Sequence, residues 1–213
     1  MKTHVTFVLD SSGSMSAIEE DTIGGFNSFL EEQRDEQGTT TVTLYDFNTN
    51  VECVYQARLV EEAPKLDSGN YTPSGRTALH DAISTVLTEM SDRISSLYPD
   101  ARPDNVIVVV LTDGKENASE TPQSMVRRQV ESRREELDWE FLFIGANQDA
   151  ALTASSMGID TDRSLDMAHS SEGTRAAYES TSERIRQARE EGTTGGFEQT
   201  DRQKQDQARD YEQ

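Results

Sequence analysis

Val5, Phe7, Val8 and Leu9 form a short apolar run of β-forming residues, and residues 10–16 that follow are small and polar, as a turn and a helix start require. Ile18, Ile23, Phe26, Phe29 and Leu30 then recur at mostly three- and four-residue spacing, which predicts a helix ending near Gly38. The pair Gly24-Gly25 inside it is expected to permit close packing on a sheet. Residues 39–47 alternate polar and apolar, Asn48-Thr49-Asn50 reads as a turn, and residues 51–60 alternate again. This pattern predicts a hairpin whose second strand lies antiparallel at a sheet edge.

After Thr77, the positions Leu79, Ala82, Ile83, Val86, Leu87, Met90 and Ile94 mark one face of a helix. The unbroken apolar run 106–111 reads as a strand buried on both faces, which belongs mid-sheet. Residues 122–137 predict a charged helix, 139–144 a strand stopped by Gly145, and 149–157 a short helix. Residues 165–168 add a weak edge strand, and residues 173–191, with Ala176, Ala177, Tyr178, Ile185 and Ala188, a further amphipathic helix. The alternation predicts an α/β fold: a doubly wound, mostly parallel central sheet with one antiparallel edge strand and helices on both faces. Ligands of such sheets bind beyond the carboxyl ends of the strands. The segments after Leu9, before Thr77 and after Leu111 all fall on that rim.

With 213 residues, one folded domain over residues 1–190 is expected. Residues 191–213 turn to Gly, Gln, Asp, Arg and Glu, with Phe197 and Tyr211 as the large apolar side chains. So little burial should not offset the entropy of ordering, and a mobile acidic and polar tail is expected.

Charge narrows the partners. Forty acidic against twenty basic residues give a formal net charge of -20, which argues against nucleic acid or an anionic membrane as partner. Lysine is scarce, with Lys2, Lys65, Lys115 and Lys204 against sixteen arginines, and the composition reads as halophilic adaptation. In molar salt the screening length falls to about 3 Å, so a dense carboxylate surface mainly keeps the chain hydrated. The acids are spread along the chain, which favours this reading over an acidic face for a basic partner. Cys53 is the single cysteine, so no intrachain disulfide is possible, and it reads as a small core residue. No stretch approaches about 18 apolar residues, and Met1 leads straight into a strand, so a soluble, cytoplasmic protein is expected.

The candidate chemistry sits in three separated segments. Asp10, Ser12 and Ser14 stand in Asp-Ser-Ser-Gly-Ser-Met after a buried strand, where one turn brings three side chains to a point and Gly13 leaves room for the backbone. Hydroxyls mixed with few carboxylates suit Mg²⁺, which takes oxygen ligands at about 2.0 to 2.1 Å and keeps several waters, whereas Ca²⁺ favours more carboxylates. Thr77 opens a helix in the segment 73–83, and Asp113 lies in Leu111-Thr112-Asp113-Gly114. Each has a plainer alternative: Asp10, Ser12 and Thr77 as helix caps, and Asp113 as a turn residue. Those alternatives leave the shared rim location unexplained. Asp81 reads as a complement to a helix N-terminus rather than a support for a metal ligand, and His80 as a packing residue. Neither His4 nor His169 has a Cys or His at metal-ligand spacing, which argues against zinc. Asn70, Tyr71 and Gln148 are positioned to line a ligand groove.

Asp-x-Ser-x-Ser after the first strand resembles the metal-ion-dependent adhesion site (MIDAS) of von Willebrand factor A (VWA) domains, a Rossmann-like fold. The glycine-then-threonine loop at Gly75 and Thr77 and the Asp113-Gly114 pair follow in that family's order. The likeness covers roughly residues 4–190, and the segments 21–27 and 143–150 are similar to a stand-alone intracellular prokaryotic branch. It implies hydroxyl ligands from Ser12, Ser14 and Thr77, with Asp10 and Asp113 binding directly or through water. The implied ion is Mg²⁺, with Mn²⁺ or Ca²⁺ as alternatives.

Two carboxylates neutralise such an ion without saturating it, so it can accept one more anionic oxygen. The resemblance therefore implies an interaction module, not an enzyme, that takes an Asp or Glu carboxylate from a protein partner. An AAA+ ATPase or a multiprotein assembly is the kind of partner implied. The competing class is a Mg²⁺-dependent phosphohydrolase with Asp10 as nucleophile. That chemistry needs a second acid and a cation to hold phosphate, whereas position 12 is a serine and Lys115 alone lies close to Asp113.

Overall fold

The computed structural model describes residues 1–146 and 149–210. Six strands, β1 (Lys2–Asp10), β2 (Thr39–Phe47), β3 (Val51–Leu59), β4 (Asn105–Thr112), β5 (Glu140–Ala146) and β6 (Ser164–Met167), form one sheet in the order β3-β2-β1-β4-β5-β6. β2 and β3 pair antiparallel and every other neighbouring pair is parallel, so the hairpin supplies the antiparallel edge expected from its alternation. β4 lies between β1 and β5, and its apolar run is buried throughout from Val106 to Leu111, as its lack of alternation requires.

Helices α1 (Glu19–Arg34), α2 (Leu79–Ser96), α3 (Gln123–Leu137), α4 (Ala150–Ser156) and α5 (Ser171–Glu191) cover both faces. Val5, Phe7 and Leu9 of β1 pack with Phe26, Phe29, Tyr178 and Ile185 from α1 and α5. Val8 points the other way, into a core shared with Ile83, Val86, Val126 and Ala154 of α2, α3 and α4. The period-two alternation of one strand thus feeds two separate cores. Of the glycine pair in α1, only Gly25 meets a neighbour: a Cβ there would strike the Tyr178 ring, while one at Gly24 would meet open space.

The sheet grows outward in opposite directions from β1 and β4, so the loops leaving their carboxyl ends part and open a crevice. Four backbone hydrogen bonds bind the crevice loops together: Ser74 to the Ser11 carbonyl at 2.7 Å, Gly13 to the Gly75 carbonyl at 3.1 Å, Ala78 to the Asn48 carbonyl at 2.8 Å, and Asn117 to the Thr77 carbonyl at 3.0 Å. Gly75 holds φ +75, a left-handed backbone that favours glycine, and presents that carbonyl.

Two expectations are corrected. The chain beyond Gly192 is not a loose tail in this structure: it forms helix α6 (Gln199–Asp210), which lies against α5 and β6. Phe197 enters the core, and polar pairing supplies what apolar content does not, since Gln205 donates to the Gly173 carbonyl at 3.0 Å and Arg209 to the Asp166 carbonyl at 2.9 Å. Cys53 is exposed rather than in the core, because it sits opposite Tyr45 on the edge strand β3, which has no outer neighbour in the sheet. Asp81 lies in the first turn of α2, as expected, and its carboxylate also accepts the Glu120 and Thr121 amides, tying the segment after β4 to α2. Gln148 lies outside the described residues.

Candidate metal centre

β1 ends by delivering Asp10 into the crevice, fully buried. Its Oδ1 accepts the Ser12 amide at 2.7 Å, its Oδ2 accepts the Thr112 hydroxyl at 2.5 Å, and its carbonyl accepts the Tyr71 hydroxyl at 2.6 Å. Burial pushes the Asp10 carboxyl up to about 6, with hydrogen bonds from Thr112 and Ser12 opposing and the nearby charge of Asp113 adding to the rise. No lysine or arginine pairs with it among the described residues, so this acid has neutral hydrogen-bond donors around it and no cation.

The remaining candidates gather about it. The Ser12 and Ser14 hydroxyls lie 3.2 Å apart, and Ser14 donates to Asp113 Oδ1 at 2.6 Å. Ser12 occupies the N-cap position of the turn that follows yet makes no capping bond, so its hydroxyl is not spent on the helix. Thr77 likewise does not cap α2, whose N-cap is Ala78. Its backbone is instead fixed by Asn117, whose side-chain oxygen accepts the Thr77 amide at 3.1 Å. A Cβ at Gly114 would collide with Thr77 Oγ1, so glycine beside Asp113 is what lets the two loops approach. Asp10, Ser12, Thr77 and Asp113 are buried while Ser14 is exposed, which makes the cluster a cup with one open side.

The structure brings all five candidate residues into this crevice. It also adds residues that the sequence reading did not assign. Thr112 anchors Asp10, Tyr71 sits beneath it rather than in a groove wall, and Ser11 donates its hydroxyl to Asp46 at the end of β2. Most notably, His169 Nε2 stands 2.8 Å from Asp113 Oδ2. Thr112 and Ser11 flank the motif and were open to recognition, but His169 comes from the β6–α5 loop, which no spacing rule links to Asp113.

The donor set fits a hard divalent cation: two carboxylates and three hydroxyls, all oxygen, on loops fixed by backbone bonds. Among the described residues no three His, Cys, Asp or Glu side chains group as a metal site on their own, so the hydroxyls are an essential part of the fit.

A six-stranded, mostly parallel sheet with helices on both faces and an oxygen-lined cup at its switch point defines an α/β module built to bind at the strand ends. The von Willebrand factor type A domain model matches residues 4–191, and the chain belongs to that family. Members of the family generally mediate protein–protein interactions and bind a divalent metal at a MIDAS. No curated protein matches the chain. Similar solved structures include a von Willebrand factor type A protein from Catenulispora acidiphila, with TM-score 0.58, 14% identity and coverage of 85% of this chain and 42% of that one. The pilus adhesin SpaC from Lactobacillus rhamnosus GG aligns with TM-score 0.68 at 13% identity, over 88% of this chain and 30% of that one. Proximal thread matrix protein 1 from the mussel byssus, with a zinc-occupied MIDAS motif, aligns with TM-score 0.61 at 16% identity, over 85% and 47%. The chain spans less than half the length of each, and at these identities the likeness is one of fold.

Proposed function

We propose that this chain is a metal-dependent protein-binding module whose cup holds Mg²⁺ through Asp10, Ser12, Ser14, Thr77 and Asp113 and takes a carboxylate from an Asp or Glu of a partner protein. The carrying observation is the continuous polar chain from Ser12 through Ser14 to Asp113, beside a buried Asp10 that lacks a cationic partner among the described residues. The ion supplies positive charge where two acids would otherwise repel an approaching carboxylate. The zinc-occupied MIDAS of the mussel protein supports a divalent ion at the equivalent rim and leaves Mn²⁺ or Ca²⁺ as alternatives to Mg²⁺. A partner of the AAA+ ATPase or multiprotein-assembly kind, in a cytoplasmic, salt-rich setting, fits the net charge of -20.

The phosphohydrolase alternative is disfavoured by the surroundings of Asp10. No lysine or arginine pairs with it among the described residues, whereas phosphoryl transfer needs a cation to hold the phosphate. The deciding experiment is calorimetric titration of the full chain with Mg²⁺, followed by co-purification from the native host with and without chelator. One bound ion, lost in Asp113→Ala, and a partner released by chelator are the expected results. Absence of metal binding, or aryl phosphate turnover abolished by Asp10→Asn, would overturn the reading.

A further inference from the structure

Asp113 is held at both of its carboxylate oxygens. Ser14 donates to Oδ1 at 2.6 Å on the cup side, and His169 Nε2 lies 2.8 Å from Oδ2 on the other side. A neutral imidazole whose Nε2 carries the proton would donate to Oδ2 and so fix the rotation that turns Oδ1 towards Ser14. The loop carrying His169 is itself clamped by α6. Gln205 accepts the Ala168 amide at 2.9 Å through its side-chain oxygen and donates to the Gly173 carbonyl at 3.0 Å through its nitrogen. Gln205 is 1% exposed, so a full amide has been buried to hold this one loop on either side of His169. The packing is close as well, because a Cβ at Gly173 would collide with the Ala168 carbonyl. Ser170, next to His169, accepts the Gly173 amide at 3.1 Å and caps α5.

We infer that His169 is a positioning residue for the metal ligand Asp113, and that helix α6, through Gln205, sets the position of His169. A segment outside the matched family residues thereby becomes part of the support for the metal centre. The inference rests on the metal reading above, and it assigns His169 to the support of a ligand rather than to the ligand set. The two-sided arrangement carries that assignment: the oxygen facing His169 is not the oxygen facing Ser14.

The test uses the full chain and Mn²⁺ alone, followed by the loss of the free-ion EPR signal on binding, with Mg²⁺ as competitor. His169→Leu is expected to weaken Mn²⁺ binding by about 10- to 100-fold, the usual cost of losing such a partner. His169→Gln, which keeps a side-chain N–H donor, is expected to restore most of that loss. Gln205→Leu is expected to weaken binding by about tenfold, and the double variant His169→Leu/Gln205→Leu to bind no more weakly than His169→Leu alone, because one acts through the other. A merely structural role would give additive losses and no rescue by Gln. Wild-type affinity in His169→Leu, alongside lost binding in Asp113→Ala, would overturn this inference and leave the metal reading intact. Failure of the wild type to bind Mn²⁺ or Mg²⁺ would overturn both.

Discussion

Ser14 donates its hydroxyl to Asp113 Oδ1 at 2.6 Å, although 99 positions separate the two residues in the chain. One stands at the first turn after β1 and the other just past the end of β4, so the contact exists only because those strands lie side by side in parallel register. The polar centre is therefore a product of sheet topology, and its disruption should register in metal binding more than in folding.

Asp113→Ala and Ser14→Ala should abolish stabilisation by Mg²⁺ while preserving the fold. Saturating the wild type at about 100 times its Kd should raise its stability by about 2.7 kcal/mol, and neither variant should gain appreciably. Without metal, Asp113→Ala should be no less stable than the wild type, because it removes a charge that burdens buried Asp10. Thermal melts with Mg²⁺ and with chelator decide the matter. An unchanged Mg²⁺ shift in the variants would contradict it.

The pH response of the metal-free protein should contain two opposed contributions. Asp10 titrates near 6 when folded, so between about pH 4 and 6 the native state binds more protons than the unfolded chain and stability falls as pH rises. His4 runs the other way. Burial, with Arg93 adding, lowers its imidazole to about 4, so it favours the native state above its ordinary value of 6.5 and loses that advantage as pH falls. In chelator, Asp10→Asn should therefore gain stability relative to wild type as pH rises from 4 to 7, by up to about 3 kcal/mol. Denaturant melts across that range check it, and a flat or reversed difference would count against a strained Asp10.

The two neighbouring glycines of α1 should behave oppositely. Gly25→Ala drives a methyl into the Tyr178 ring and should cost about 1–3 kcal/mol. Gly24→Ala meets open space in a helix interior and should be neutral or stabilise by up to about 1 kcal/mol. Equal effects from the two would show that α1 and α5 are not in the close contact described.

Phe197→Ala tests whether the end of the chain is docked. Phe197 is 5% exposed in the core between sheet and helices, so the substitution should cost about 3–5 kcal/mol, measurable by urea unfolding. A mobile tail would give almost no change.

Strands and helices up to residue 191 were legible because each buries a regular apolar pattern, as in the paired faces of β1 or the uninterrupted run of β4. The shared location of the five candidate residues was legible because each ends or follows a strand or precedes a helix, and such positions share one rim in a doubly wound sheet. Helix α6 was not, because its docking uses Gln205, Arg209 and the pairing of Asp201 with Arg184 of α5 rather than a hydrophobic stripe, and polar pairing leaves no periodic mark. Cys53 was misplaced because alternation in an edge strand does not say which face is covered. His169 escaped because its meaning depends on where the β6–α5 loop ends in space.

Helix α6 also closes an outer border of the sheet. β6 is a terminal strand, and its free backbone groups would otherwise be a template for pairing with another molecule. Arg209 occupies the Asp166 carbonyl, and just past the strand Gln205 occupies the Ala168 amide, so this border is already engaged within the same chain. Mutual repulsion between highly anionic copies fades as ionic strength rises. Shortening the chain before α6 should therefore make it self-associate most readily in concentrated salt, where its own charge no longer keeps the copies apart.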